Sequence, residues 1–166
     1  MLRSIFAFEI RYHLRQWLFW LVSLTFLLLG FLLEGTEVVT VFGGSGNIHR
    51  NAPLVILRLL SVLTVFSLFI ITAVVASSAQ RDFEYGTEGL FFSKPVKKRD
   101  YLFGRFAASW LISCVVLVAG AIGAWLGSKM PWVEAVRLGP TQLTPYLYTF
   151  AVVILPDLLL LGAVFF

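Results

Sequence analysis

Four long apolar runs, separated by polar segments, make up most of this chain, and each run is long enough to cross a lipid bilayer. An α-helix rises about 1.5 Å per residue, so roughly 20 residues cross a hydrocarbon core about 30 Å thick. The runs predict membrane-spanning helices over residues 17–33, 59–78, 106–127 and 146–166, preceded by a short helix over residues 1–15. The expected fold class is an all-α, polytopic bundle of membrane helices.

Composition agrees with this pattern. Hydrophobic residues make up 59% of the chain and charged residues 13%, and the mean hydropathy is +0.89, which is typical of an integral membrane protein. The first run is predicted to be a retained anchor because Glu34-Gly35-Thr36 offers no signal-peptidase site and further spans follow. The net charge of +4 favours a membrane surface over nucleic acid, since the basic residues stand beside apolar runs.

Lysine and arginine are unevenly distributed between the segments that join the spans. Three arginines precede the first span, and six basic residues lie in the segment 79–105, but residues 34–51 hold one and residues 128–145 hold two. Basic residues accumulate on the cytoplasmic side of membrane proteins. We therefore expect a multi-pass protein of the cell membrane with the N-terminus and the segment 79–105 in the cytoplasm.

The segment 79–105 combines many charges with an apolar centre, and we call it the docking loop. Gly86 is expected to end the helix of the second span, Thr87 to cap a short helix with Glu88 in its first turn, and Pro95 to follow that helix. The helix would present Leu90, Phe91 and Phe92. These residues fit a partner protein or a lipid interface with Lys97, Lys98 and Arg99 on anionic headgroups, and the residues alone leave both open.

A resemblance favours the partner protein. Glu84-Tyr85-Gly86-Thr87-Glu88-Gly89-Leu90, followed by Ser93 to Arg105, resembles the cytoplasmic loop between the second and third spans of type 2 ABC exporter permeases, with Arg105 where that family has Lys. The N-terminal helix with Glu9 also looks similar. Lys98-Arg99-Asp100-Tyr101 and Leu155-Pro156 further resemble the subset of these permeases fused to an aminopeptidase-like domain.

The resemblance implies a transport subunit without its own ATPase, docked on an ABC ATP-binding subunit and paired with a second permease half or a homodimer partner, in a bacterial inner membrane and in contact with membrane lipid. Because the run ending at Phe166 has no polar flank, we expect the membrane domain to continue beyond it. The alternative is a scaffold or regulator that does not transport and whose basic loop binds lipid. The residues implied in docking are Glu84, Gly86, Thr87, Glu88, Leu90, Phe91, Phe92, Pro95, Lys97, Lys98 and Arg99.

Other chemistry is sparse in the sequence. No G-x-x-x-x-G-K-[ST] motif occurs, and Gly43-Gly44-Ser45-Gly46 lacks the lysine of a phosphate-binding loop. We expect no cofactor, metal site or nucleic-acid partner. Asp157, after Pro156 in the fourth span, is an intramembrane acid that we expect to face protein or water. Gly120, Gly123 and Gly127 form a small-residue stripe expected to pack against another helix.

Overall fold

The computed structural model describes residues 2–36, 49, 52–84, 86, 97–131, 139 and 143–165, and within these residues the protein is all-α, as predicted. A short helix precedes three long helices and a final span that is built from two helices joined by one π-helical turn, Phe150–Ile154. The helices are α1 (Leu2–Arg15), α2 (Trp17–Gly35), α3 (Pro53–Glu84), α4 (Lys98–Gly127), α5 (Thr144–Thr149) and α6 (Leu155–Phe165).

Four helical stretches are long and apolar enough to cross a membrane, which confirms a multi-pass membrane protein. They are Trp17–Gly35, Pro53–Val74, Arg99–Gly127 and Thr144–Val164. The helices are longer than the apolar runs that predicted them, because helical hydrogen bonding continues through residues 79–84 and 98–105, which the sequence assigned to the docking loop. No proline or glycine interrupts residues 79–84, and α3 reaches about 48 Å, well beyond a 30 Å hydrocarbon core.

The bundle has two distinct ends. Arg15, Glu84 and Lys98 lie at what we call the basic end, and Gly35, Pro53 and Gly127 lie at the opposite end. α2 and α4 run parallel, because Gly30 packs against Gly120 and Gly35 lies beside Gly127. α3 and the α5–α6 span run the other way, and Gly162 of α6 packs on Ile71 and Phe106.

Glycines bring the backbones of α2 and α4 into direct contact. A methyl group on Gly30 would overlap the Gly120 carbonyl, and one on Gly123 would overlap the Leu27 carbonyl. A methyl on Gly127 would lie 2.6 Å from the Phe31 carbonyl oxygen, again too close. Small residues allow membrane helices to approach in this way, and their packing replaces a hydrophobic driving force that lipid cannot supply. We call Gly30, Gly120, Gly123 and Gly127 the glycine seam.

The remaining spans pack around this pair through apolar side chains. Leu60 and Leu63 of α3 and Leu117 of α4 are fully buried, and Leu63 approaches Gly120. Ile154 and Leu158 of the last span are fully buried and belong to the same core. The last span has the lowest buried share of the four, so most of its surface faces away from the bundle.

Replacing Gly123 by valine should destabilise the bundle by about 2–3 kcal/mol or more, because the new side chain must displace the α2 backbone and not a flexible side chain. The matched control is Ile122→Val on the exposed face of α4, which should change stability by less than about 1 kcal/mol. Denaturation of the purified protein in mixed detergent micelles measures both. Equal effects of the two changes would contradict the close α2–α4 contact.

Candidate functional site at the basic end of the bundle

α3 ends, and α4 begins, close to the two parts of the docking-loop motif. α3 ends at Glu84, and Gly86 has a φ of 61°, a left-handed conformation that glycine adopts without strain just after a helix. This is the helix break that the sequence predicts. α4 begins at Lys98, and the side chains of Lys97 and Arg99 are exposed.

The centre of the loop stays a prediction. The short helix over residues 87–92 and its flank fall outside the described residues, and so do the side chains of Glu84 and Lys98. This applies to Thr87, Glu88, Leu90, Phe91, Phe92 and Pro95.

The whole net charge of the chain comes from two sequence segments, residues 1–16 and 79–105. Residues 1–16 and 79–105 together contain nine basic and five acidic side chains, and the rest of the chain contains four of each. On α1, Arg3, Arg11 and Arg15 are all exposed. This end therefore presents a positive surface to an anionic membrane surface or to a protein partner.

A buried ion pair joins α1 to the start of α4. The Arg105 Nε lies 3.0 Å from the Glu9 Oε1, and the two side chains are 4% and 1% exposed. The Arg105 guanidinium also lies over the Tyr101 ring, 4.6 Å from its centroid, which adds a cation–π contact. Removing either partner would leave a buried charge, so the pair ties the position of α1 to that of α4.

Gly104, next to the ion pair, brings the two helices together. A methyl group here would lie 3.3 Å from the Ile5 side chain, slightly closer than ordinary packing, and 3.4 Å from the Leu2 carbonyl oxygen, an ordinary contact. Gly104 and Arg105 therefore act together, the first by allowing α1 to approach and the second by pairing with Glu9. These are the last two residues of the motif that resembles the type 2 permeases.

α1 is also joined tightly to α2. Only Gln16 separates the two helices, and its backbone N–H donates to the His13 carbonyl at 3.1 Å. The indole N–H of Trp20 donates back to the Leu14 carbonyl at 2.9 Å, across the corner between the helices. α1 thus connects the first turns of α4 to the start of α2.

The sequence did not predict the pairing of Glu9 with Arg105. Glu9 is the single acid in a basic helix, which marks it as unusual, but its partner lies far along the chain and on a helix whose facing side is set by the glycine seam. A single sequence carries no signal for such a contact.

A second polar cluster, also not predicted, lies at the opposite end of the bundle. Glu34 of α2, Ser128 after α4 and Tyr146 of α5 are all buried, and the Ser128 hydroxyl donates to the Trp125 carbonyl at 2.8 Å. The members of this cluster lie in or next to three different spans. Beside it, the Lys129 ammonium lies 3.8 Å from the centroid of the Trp125 ring.

Asp157 lies on the outer surface of α6, and its side chain is exposed together with that of Pro156. Its carboxyl group therefore does not face the interior of the described bundle. The expectation that Asp157 faces protein or water stays a prediction, and it now requires a surface other than the core described here.

The described residues contain no group of three or more histidine, cysteine, aspartate or glutamate side chains that could hold a metal ion. Cys114 is a buried free cysteine in the apolar core.

No family model, no curated protein and no solved structure matches this chain.

Breaking the Glu9–Arg105 pair on one side should be much worse than replacing both partners. Glu9→Leu should lower the free energy of unfolding by about 3 kcal/mol or more, because it leaves the Arg105 charge buried without its counterion. The double change Glu9→Leu with Arg105→Met should recover a large part of that loss. A double-mutant cycle in mixed micelles measures the coupling.

Arg11→Gln is the control for this cycle, because Arg11 is an exposed charge on the same helix and should matter by no more than about 0.5 kcal/mol. Strictly additive effects at Glu9 and Arg105 would contradict the buried pair.

Proposed function

We propose that this chain is a permease subunit of an ABC-type exporter, whose basic end docks on an ATP-binding subunit. The observation that carries the proposal is the attachment of α1 to the first turns of α4 through Glu9, Gly104 and Arg105. Through that attachment, movement at the end of the docking loop would move two spans, α4 and α2. The resemblance of the loop to the type 2 permeases supplies the identity of the partner.

The geometry supports a mechanical role for the loop. A loop between flexible helix ends would absorb the movement of a docked partner, but here α3 and α4 extend as continuous helices beyond the hydrocarbon region. The described helices end at Glu84 and resume at Lys98, on either side of the loop. Displacement of the loop during closure of an ATPase would be passed to α4 directly and to α2 through α1.

The partner must supply the ATP chemistry in this proposal, since the sequence contains no phosphate-binding motif. Docking would use a short amphipathic helix laid in a groove of the ATP-binding subunit, with Phe91 and Phe92 as apolar anchors. Lys97, Lys98 and Arg99 would form a charged rim that sets orientation and association rate. The basic end would then face the cytoplasm, in a bacterial inner membrane.

Asp157 supports the part of the proposal that concerns a second permease half or a homodimer partner. An ionised carboxyl group near the middle of a span costs about 3 kcal/mol or more when it faces lipid, so such groups are found against protein or water. On this chain the carboxyl points away from the described core. Further membrane protein, or a water-filled pathway between two halves, would provide its surroundings.

A scaffold or regulator that binds anionic lipid is the second candidate, and the exposed basic side chains favour it. Arg3, Arg11 and Arg15 on α1 and Lys97 and Arg99 near α4 are all exposed. Each would gain about 1 kcal/mol near an anionic membrane surface. The two candidates differ in which loop residues are essential.

The decisive comparison sets the loop phenylalanines against the loop lysines. In the exporter, Phe91→Ala with Phe92→Ala removes anchors worth about 2 kcal/mol or more each and should abolish co-purification of an ATP-binding subunit from membranes of the native host. Lys97→Gln with Lys98→Gln should weaken that association only moderately and make it less sensitive to salt. Peptides of the co-purified ATPase and retention on immobilised ATP identify the partner.

Both double variants must still insert in the membrane and purify as monodisperse protein for this comparison. If the lysine pair abolishes function and the phenylalanine pair is silent, the docking-helix proposal is wrong and the lipid-binding scaffold is favoured.

A further inference from the structure

We propose that a cleft at the basic end binds one anionic phospholipid, with the phosphate on Arg99 and an acyl chain along Phe103 and Phe106. The cleft has a volume of about 580 Å³ and lies where the start of α1, the first turns of α4 and the end of α6 meet. Its walls include Leu2, Arg99, Asp100, Phe103, Phe106 and Ala163. The cleft is more open than enclosed.

The cleft lies at the depth where a phospholipid headgroup meets its acyl chains. Lys129 and its contact with Trp125 place the opposite membrane boundary close to Gly127. Phe106 lies 21 residues from Gly127, about 31 Å along the helix, which is one hydrocarbon thickness. Arg99 lies about 10 Å further out, at headgroup depth.

The residues that line the cleft change from charged at the rim to apolar deeper in the membrane. Phe103 is 64% exposed and stands between the charged rim and the deeper wall of Phe106 and Ala163. Arg99 is exposed at the rim and is not the arginine engaged with Glu9. Basic pockets between membrane helices recognise anionic headgroups, and apolar side chains below them accept the acyl chain.

Charge identifies the occupant as an anionic lipid. Residues 1–16 and 79–105 carry the whole net charge of +4, and the exposed arginines of α1 belong to the helix whose Leu2 lines the cleft. Asp100 also lines the cleft, and its negative charge repels an anion. Removing that charge should therefore strengthen the binding of an anionic lipid. A polypeptide segment is the other conceivable occupant of an apolar cleft, and the experiment distinguishes it.

A lipid site is compatible with an exporter and with a scaffold. Its absence would therefore not contradict the proposed function. The lipid site depends on Arg99 and Phe103, whereas ATPase docking depends on Phe91 and Phe92.

Native mass spectrometry of the full chain in detergent, titrated with phosphatidylglycerol or with phosphatidylcholine of identical acyl chains, tests the site. We expect one phosphatidylglycerol to bind at least about fivefold tighter than phosphatidylcholine, the factor expected from one basic contact. Arg99→Gln should remove most of that preference. Asp100→Asn should strengthen phosphatidylglycerol binding, and Phe103→Ala should weaken both lipids alike.

Arg58→Gln is the matched control, because Arg58 is an exposed arginine on α3 near the opposite end and should leave the preference unchanged. Inorganic phosphate at millimolar concentration should fail to displace the lipid, since it makes no acyl contact. Displacement by phosphate, or an unchanged preference in a monodisperse Arg99→Gln protein, overturns the proposal.

A photocrosslinking amino acid in place of Phe103 separates lipid from polypeptide in native membranes. Lipid adducts on the full chain are expected. Adducts formed only with another protein would overturn the lipid assignment.

Discussion

Direct backbone contact between α2 and α4 is the constraint on which the rest of the structure depends. The glycine seam fixes both the distance and the parallel direction of these two spans. Because only one residue separates α1 from α2, the contact also places α1 beside the first turns of α4. Glu9 then meets Arg105, and Gly104 allows the approach. A larger residue in the seam would therefore disturb the basic end, about 30 Å away, as well as the core.

The ion pair between Glu9 and Arg105 fixes the position of α1 on α4 more than it adds to the stability of the fold. Taking two charges out of water costs several kcal/mol, and their attraction offsets that cost only when the geometry is good. What the pair does provide is a penalty for any arrangement in which α1 leaves α4. A loop that receives force from a partner needs such a fixed connection, because a loosely attached helix would move without moving the spans.

The sequence predicts the four spans because each needs only length and hydropathy, which are local properties. It predicts the end of α3 before Gly86 but places the starts of α3 and α4 too late, because hydropathy marks the hydrocarbon core whereas the helices already begin at Pro53 and Lys98. The stripe of Gly120, Gly123 and Gly127 is visible in the sequence, but its partner on α2, with Gly30 at its centre, is not. The pair of Glu9 with Arg105 and the buried cluster of Glu34, Ser128 and Tyr146 are tertiary arrangements without a local signal. The outward position of Asp157 depends on how the last span turns against α3, which hydropathy does not encode.

The proposed coupling to an ATPase requires the basic end to face the compartment that contains ATP, so membrane orientation tests this proposal most directly. In a Cys114→Ser background, single cysteines at Ser45 and Lys97 can be labelled in intact cells with a maleimide that does not cross membranes. Cys114 is buried in the core, so its removal clears the background with little change at the surface. The account predicts that the cysteine at position 45 reacts from outside and that the cysteine at position 97 reacts only after permeabilisation. The reverse pattern would place the docking loop outside the cell and contradict the proposed coupling to an ATPase.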